Sequence, residues 1–417
     1  MPRLSPFVAL RYLPGAGDPA DLIAPPYDVI DAAMADELRG RSRHNAVHLV
    51  LPRGEGPERY EAAASRLGDW LREGVVAPDD EAAVHVYRQR YETQNGRRER
   101  LALFAALDLE ALGGGVLAHE RTHAGPRADR LALTLATRTQ LSPVFLLARD
   151  PDAALLETLR VLVTARPVIE ATTPDGVEHA MWSIGEEGTA ALLCALAGRH
   201  PLLIADGHHR YETALEVSRQ LGGDSAGRVL ACVVSALDPG LVIRPTHRTL
   251  TSIDRPPGGS LAAALEPWFA VESVGSLDPA AAERLAASRP AGMIVLGGGE
   301  ALRLSPRADE VHGGRVEPGG RSGERAAARI AAVQFDRHVM HDLLGTDADT
   351  AAHEGRLEYH RDAAEAVRRA GTTGAAFLLP PVSLDAVWDA AAAGARLPPK
   401  STYFEPKIPS GLLFRPL

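Results

Sequence analysis

The segment IADGHHRYETA, at positions 204–214, contains the residues best suited to chemistry. The apolar run PLLIA ends at Asp206 and a glycine, and a helical pattern begins directly after them. A strand that turns at once into a helix presents backbone N–H groups and the positive end of the helix dipole, and both favour phosphate. Asp206 is placed to bind Mg²⁺ or to orient a nucleophile. The predicted phosphate-binding residues are Gly207, His208, His209 and Arg210.

An aspartate before a helix often serves only as its N-cap, followed by solvated polar residues. That alternative explains Asp206 but not two adjacent histidines, which have little use as helix filler, so we prefer the functional interpretation. Metal ligation is a rival use for the histidines. No cysteine and no HxxxH partner lies nearby in the sequence, so we expect a phosphate site rather than a histidine-bound metal.

Lysine is rare in this chain, and only two of its 45 basic side chains are lysines. Both, Lys400 and Lys407, lie in the segment LPPKSTYFEPK at 397–407. Arginine cannot reproduce the compact point charge of an ammonium group, which suits phosphate. We therefore predict that Lys400 contacts phosphate together with Ser401 and Thr402, and that Lys407 is structural and pairs with a carboxylate. The alternative is a proline-rich surface turn.

Three further segments carry candidate site residues. In LAHERTHAGPR, Glu120 lies in a polar stretch before a helical pattern, next to His119 and close to His123, where a carboxylate can act as a general base. The other two segments are RPTHR and APPYDVI. For each of them the alternative is a structural or solvated role. The predicted substrate contacts are His119, His247, Arg248, Tyr27 and Asp28.

The apolar patterns place these segments in a fold of mixed α+β and α/β class. Helical spacing is found in DAAMADELRG and PERYEAAASRLGDWLREG, and NAVHLVLP between them predicts a strand. Two β-rich runs joined through Asn95 and Gly96 predict a hairpin over 84–108. After GGG at 113–115, predicted strands and helices alternate.

The composition argues against several classes of protein. With 45 basic and 54 acidic residues among 417, the net charge of −9 argues against broad nucleic-acid binding. No apolar run reaches the roughly 18 residues of a transmembrane helix, and the N-terminus lacks the apolar core of a secretory signal. Two cysteines cannot form a disulfide framework. We expect a cytoplasmic protein without a membrane or nucleic-acid partner and leave its oligomeric state open.

The whole chain resembles a prokaryotic family of unknown function, on the motifs APPYDVI, HERTH…DRL, SPVFLL, DGVEHAMW, ADGHHRYETA, RPTHR and PPKSTYFEPK. From about residue 115 it also resembles the free L-serine kinases of the ParB/sulfiredoxin-like superfamily. Those enzymes carry a His-Glu pair, an Asp-Gly-His-His-Arg motif and a late Pro-Lys-Thr-Thr segment. The matching positions here, in the same order, are His119 and Glu120, residues 206–210, and residues 399–402, with Ser401 in place of a threonine.

The resemblance implies a kinase that transfers phosphate from a nucleotide, ATP or ADP, to a free hydroxyl amino acid, L-serine in the first place. It implies that Glu120 is the catalytic base, that Asp206 and His209 are also catalytic, and that Mg²⁺ neutralises charge. Two alternatives stay open. One is a ParB-like switch or adaptor that binds or hydrolyses a nucleotide, and the other is a non-enzymatic protein that binds a phosphorylated metabolite.

We expect three domains. An N-terminal α+β domain with the hairpin covers 1–112, a ParB/sulfiredoxin-like core covers 113–254, and a C-terminal α/β domain over 255–417 closes a cleft with the core. The donor site draws on residues of the last two domains, so Lys400 is expected within about 15 Å of Gly207.

Overall fold

The computed structural model describes residues 1–93, 96–122, 124–253, 260–288, 292–297, 299–307 and 326–417. These residues form two compact units. The first contains Met1–Leu117, Thr122–Val242 and Pro406–Leu417, and the second contains Ala118–Arg121 and Ile243–Glu405. Each unit combines a sheet with helices, which confirms the mixed α/β class. The division into 1–112, 113–254 and 255–417 stays a prediction, and its second boundary falls at residues 254–259, outside the described residues.

The first unit is built on a mixed sheet that has nine strands in the described part of the chain. Two of the neighbouring pairs in this sheet are parallel and the others are antiparallel. In spatial order the strands are Val116–Leu117, Leu202–Asp206, Val144–Ala148, Arg228–Ser235, Gly96–Asp108, Val84–Thr93, Glu178–Ile184 and Ile169–Thr172, with Leu4–Ser5 also beside Gly96–Asp108. Two smaller pairs join Leu10–Tyr12 to Val76–Pro78 and Thr139–Gln140 to Arg415–Pro416.

The predicted hairpin is confirmed as the antiparallel pair Val84–Thr93 and Gly96–Asp108, in which Thr93 lies opposite Gly96. Asn95 of the predicted turn lies outside the described residues. The second strand is buried continuously from Leu101 to Leu107, so it forms a central part of the core.

The helices of the first unit include both of those predicted from DAAMADELRG and PERYEAAASRLGDWLREG. Their bounds are Pro19–Leu22, Ala32–Arg41, Val47–Val50, Glu58–Arg72, Ala124–Thr137, Ala154–Leu162, Glu187–Ala197, His208–Leu221 and Gly223–Ala226, with 3₁₀ turns at Pro14–Ala16 and Tyr27–Val29.

The strand predicted from NAVHLVLP is wrong, because Val47–Val50 is a short helix. Asn45 sets this conformation. Its side-chain oxygen accepts the N–H of Val47 (2.8 Å), and its amide donates to the carbonyls of Asp21 (2.7 Å) and Ile23 (3.0 Å). A short run of apolar residues cannot by itself distinguish a buried strand from a buried helical turn, and here the side chain before the run decides it.

The second unit is built on a sheet with six antiparallel strands in its described part. In spatial order these are Phe269–Gly275, Glu300–Pro306, Met293–Gly297, Ala375–Leu378, His247–Leu250 and Leu357–His360. Val242–Arg244 and Tyr403–Glu405 form a separate pair. The helices are Leu261–Leu265, Pro279–Ala287, Ala331–Gln334, Ala348–His353, Ala363–Ala370 and Leu384–Ala392, with a π-helix at Phe335–Leu343. Across the described ranges of both units, no helix is long and apolar enough to cross a membrane.

The packing beside the hairpin of the first unit can be tested at Gly240. A Cβ added to Gly240 would lie 2.1 Å from the backbone oxygen of Glu99, so Gly240→Ala must move the central strand. We expect a loss of more than about 2 kcal/mol in the free energy of unfolding. The control is Gly68→Ala, at a helix position where an added Cβ would meet no atom within 4 Å apart from the backbone of its own helix, and this change should raise stability by up to about 1 kcal/mol. Urea unfolding measures both, and equal effects would contradict the packing.

Candidate functional site

The predicted strand-to-helix junction is present in the first unit. The strand Leu202–Asp206 ends at Gly207, and the helix His208–Leu221 begins at the next residue. Gly207 has a φ of +94°, a left-handed conformation that favours glycine, and a Cβ there would lie 3.0 Å from the guanidinium carbon of Arg210. No side chain caps the helix at Gly207. This end of a 14-residue helix therefore has the features of an anion site.

The carboxylate of Asp206 lies between two cations. Its Oδ1 is 2.6 Å from Nζ of Lys407, and its Oδ2 accepts a hydrogen bond from Arg210. Arg210 also donates to the carbonyl of Pro143, at the start of the strand region SPVFLL. Burial alone would raise the pKa of Asp206, but the charges of Lys407 and Arg210 outweigh burial and lower it below the usual range. Asp206 is therefore ionised at neutral pH.

The predicted hairpin positions Lys407. Arg100, only 1% exposed, donates to the carbonyl of Pro406 and to the side-chain oxygen of Gln89. The amide of Gln89 donates to the carbonyl of Lys407 (3.0 Å). The guanidinium of Arg100 lies over the ring of Phe145 at 4.9 Å. Buried side chains thus fix the backbone that carries Lys407.

Sequence reasoning expected Lys407 to pair with a carboxylate, and it does. It missed that the carboxylate is Asp206, which makes Lys407 a member of the candidate site rather than a remote structural residue. The rarity of lysine was the signal that could have found it, since Lys407 is one of only two.

Tyr27 lies beside the same cluster. It starts the short 3₁₀ turn Tyr27–Val29, and Arg130 lies over its ring at 4.1 Å. Tyr27, Arg130 and Arg210 line a small cavity of about 50 Å³. Burial raises the pKa of Tyr27, so its hydroxyl is neutral at physiological pH. The negative charge of Asp28 in turn contributes to raising the pKa of Arg210. The structure therefore brings this predicted pair to the cluster.

The two histidines of the junction differ in exposure. His208 is buried, and its charge in the protonated state contributes to lowering the pKa of Asp206. His209 is half-buried in the first turn of the helix.

Asp206 does not fit the role of a Mg²⁺ ligand in this arrangement. Both of its oxygens face cations, and a divalent cation at the same carboxylate would be repelled by Lys407 and Arg210. Among the residues that the structure describes, no group of three histidine, cysteine, aspartate or glutamate side chains could hold a metal ion.

A second set of predicted residues meets in the second unit. His119 is fully buried, and its Nε2 lies 2.9 Å from Oγ1 of Thr402. The carbonyl of His119 accepts the N–H of Leu397 (2.6 Å). The carboxylate of Glu120 accepts the backbone N–H of Lys400 (3.1 Å). The His-Glu pair and the segment around Lys400, which are 280 residues apart in sequence, are therefore neighbours. His123 lies outside the described residues.

The segment that carries Lys400 has an unusual backbone. Lys400 has a φ of +58°, one of four left-handed non-glycine residues in the described part of the chain. The hydroxyl of Ser401 donates to the carbonyl of Pro398 (2.6 Å), which closes the turn. Ser401 and Thr402 are both buried, whereas the Lys400 side chain is exposed.

His247 differs from these residues because its ring lies in the core of the second unit. The ring is fully buried, and its Nδ1 accepts the N–H of Leu379 (3.2 Å). Burial, with help from the charge of Arg248, lowers the pKa of His247 to about 4, so the ring is neutral at physiological pH. A neutral ring in the core offers no surface to a substrate, and this placement supports a structural role.

The two clusters belong to different units. Asp206, Arg210 and Lys407 lie in the first unit, and Glu120 and Lys400 lie in the second. Lys400 and Gly207 lie in different units. The distance expected between them therefore stays a prediction.

These features define a two-unit α/β protein with an uncapped helix start beside Arg210 and Lys407 in one unit and the adjacent residues His119 and Glu120 in the other. Residues 4–333 match the family described as "Protein of unknown function (DUF1015)". The chain belongs to this family. No curated protein was found to match the sequence.

Three solved structures illustrate the similarities found. A free serine kinase variant in complex with ADP is 13% identical, with a TM-score of 0.37, over 73% of this chain and 87% of the other. C-terminally truncated SbnI from Staphylococcus aureus is 10% identical (TM-score 0.35; 73% and 84% covered). A conserved hypothetical protein from Pyrococcus furiosus is 14% identical (TM-score 0.34; 74% and 93% covered). At these TM-scores no activity is carried over to this chain.

The ion pair of Lys407 has a pH signature. Because the pKa of Asp206 is lowered in the folded state, its stabilisation is present above the unfolded-state pKa of about 4 and is lost as the pH falls through the folded-state value. Lys407→Met should cost about 3 kcal/mol in the free energy of unfolding at pH 7. The difference from the wild type should shrink toward pH 3, because Asp206 takes up its proton earlier in the variant.

Urea unfolding between pH 3 and 7 measures this dependence. The control is Arg53→Met, which removes an exposed partner of Asp36 and should cost at most about 1 kcal/mol at pH 7. A Lys407→Met effect that is the same at pH 3 and pH 7 would contradict the ion pair.

Proposed function

We propose that the protein is a phosphotransferase that moves a phosphoryl group from a nucleotide to the hydroxyl of a small amino acid, with L-serine as the first acceptor to test. The observation that carries the proposal is the uncapped start of the helix His208–Leu221, with the buried Arg210 and the half-buried Lys407 beside it. Helix ends and paired cations of this kind bind phosphate groups.

The charges of this cluster support an anionic ligand. Two cations, Arg210 and Lys407, face the carboxylate of Asp206 beside the start of the helix. Charges act strongly in a buried site because little water screens them. The phosphates of a nucleotide would interact favourably with these cations and with the N–H groups of the helix start, and ATP or ADP is the donor that the resemblance implies.

The second cluster supports the acceptor side of the reaction. In the proposed step the serine hydroxyl oxygen forms a bond to the transferred phosphorus, the bond from that phosphorus to the donor's bridging oxygen breaks, and the hydroxyl proton passes to Glu120. A carboxylate suits this role when hydrogen bonds hold it in place, and the N–H of Lys400 bonds to Glu120. His119, which precedes Glu120 in the chain, and Thr402 are both buried and hydrogen-bonded to each other.

No step is assigned to Mg²⁺, because the two carboxylate oxygens of Asp206 already pair with the side chains of Arg210 and Lys407. The assays below contain Mg²⁺ as the usual counter-ion of the nucleotide. A cytoplasmic location is part of the proposal. It agrees with two buried cysteines that are both unpaired.

The central experiment incubates the protein with L-serine, Mg²⁺ and either ATP or ADP, and detects O-phosphoserine by mass spectrometry. Glu120→Gln should lower kcat by about a thousandfold or more, because glutamine cannot accept the proton, while nucleotide binding measured by calorimetry persists. The control is Glu61→Gln, a change at an exposed helix position of the first unit, which should retain wild-type turnover.

The results separate the proposal from the two alternatives. No phosphoserine with either donor would end the serine assignment. Nucleotide binding without transfer, equal in the wild type and Glu120→Gln, would favour a nucleotide-binding switch. Binding of phosphorylated metabolites without nucleotide binding would favour a phosphometabolite-binding protein.

The role of Lys400 is tested by keeping its charge. If the ammonium contacts the transferred phosphate, Lys400→Arg should lower kcat about as much as Lys400→Ala, by roughly a hundredfold or more, because the wide guanidinium does not reproduce a compact point charge. Steady-state kinetics on Lys400→Arg and Lys407→Arg compare the two lysines. An active Lys400→Arg enzyme beside an inactive Lys407→Arg enzyme would transfer the role to Lys407.

A further inference from the structure

Arg248 is a buried cation whose hydrogen bonds go to the backbone of the Lys400 turn. It is 2% exposed. Its Nη2 donates to two successive carbonyls, those of Pro399 (3.3 Å) and Lys400 (3.2 Å), and its Nη1 donates to the carbonyl of Thr246. These bonds direct the guanidinium into the protein rather than toward a substrate.

Two aromatic rings fix the plane of this guanidinium. Its carbon lies 5.2 Å from the ring centre of Tyr359, which is directly opposite Arg248 on the adjacent strand, and 5.9 Å from that of Phe335, at the start of the π-helix. Burial lowers the pKa of Arg248 to about 10. The group is therefore still a cation at neutral pH, and it is held on several sides.

The backbone that Arg248 holds is strained. Lys400 has a φ of +58°, a conformation that costs a residue with a side chain free energy and persists only where neighbouring contacts enforce it. The carbonyl of Lys400 is bound by Arg248, and its N–H is bound by Glu120. The left-handed turn thus connects Arg248 to the proposed catalytic base through one residue.

We propose that Arg248 is a positioning residue, which holds Lys400 in the left-handed conformation and thereby fixes the carboxylate of Glu120 for proton transfer. This inference rests on the proposed function for its kinetic readout. It replaces the expectation that Arg248 contacts the substrate. Lysine cannot take over the role, because a single ammonium lacks the planar fork that bridges two carbonyls and stacks on rings.

The first test separates positioning from substrate contact. Arg248→Lys should lower kcat by about thirtyfold or more and leave KM for L-serine and for the nucleotide within about twofold, because binding groups stay in place while the base is misaligned. The control, Arg368→Lys, changes an exposed arginine of the same unit and should leave both constants unchanged. A rise in KM for L-serine with kcat preserved would overturn the proposal in favour of substrate contact.

The second test isolates the backbone of Lys400 from its side chain. Lys400→Ala and Lys400→Gly both remove the ammonium, but only glycine adopts a left-handed φ without strain. With Arg248 intact, the two variants should have kcat values within about twofold of each other. In the Arg248→Lys background, Lys400→Gly should be at least about fivefold more active than Lys400→Ala, because glycine restores the turn without the clamp. Equal activities of the two variants in that background would overturn the proposal.

The role of Arg248 in holding the turn can be tested even if L-serine is not the acceptor. If the wild type forms no phosphoserine, the proposed function fails, and the same four variants are compared by urea unfolding. The equilibrium constant for folding should then favour glycine over alanine by at least about fivefold more with Arg248 intact than in the Arg248→Lys background, because only the intact clamp forces alanine to keep the strained turn. An equal preference in both backgrounds would show that Arg248 does not hold the turn.

Discussion

The carboxylate of Asp206 joins a strand and the helix that follows it to a segment of the first unit that is remote in sequence. It ends a buried strand, it pairs with Arg210 in the first turn of the following helix, and it pairs with Lys407 from a segment that lies 201 residues away. The two cations and the carboxylate depend on one another, since a largely buried charge that loses its partner is costly. The hairpin residues Arg100 and Gln89 support the same arrangement, because they donate hydrogen bonds to the backbone carbonyls at Pro406 and Lys407.

The second unit organises its candidate residues by different means. There the contacts are mostly from side chains to backbone groups: Glu120 accepts an N–H from Lys400, and Arg248 donates to the successive carbonyls of Pro399 and Lys400. Such bonds fix the course of a turn rather than the charge of a site. The two units thus contribute different properties, with compensated charge in the first and a rigid, strained turn in the second.

The fold was predictable where the signal is local. An apolar run followed by Asp-Gly and a helical pattern predicted the junction at Gly207, and two β-rich runs around Asn95 and Gly96 predicted the hairpin. NAVHLVLP failed because hydrogen bonds from Asn45 to remote carbonyls decide its conformation, and apolar periodicity carries no information about such partners.

The sequence predicted which residues belong to the candidate site better than it predicted which of them contact each other. Residue types and motif order identified Asp206, Arg210, Glu120 and the lysines. The partner of Lys407 and the left-handed turn at Lys400 depend on contacts between segments hundreds of residues apart, which one sequence does not encode in any local pattern. His247 shows that motif membership can also mislead, because the polar motif RPTHR contains a histidine whose ring packs in the core.

The order in which the first unit can assemble follows from the path of the chain. Phe414 lies in the same core cluster as Leu10 and Trp70, and Ser410 forms a bridge with Ala24. These residues are synthesised only after the entire second unit, so the first unit emerges from the ribosome with part of its core and the Asp206 cluster incomplete. Its contacts with the residues beyond Glu405 cannot form until those residues have been synthesised. The cluster of Asp206, Arg210 and Lys407 therefore cannot form before Lys407 has been synthesised, and a chain interrupted within the second unit lacks it.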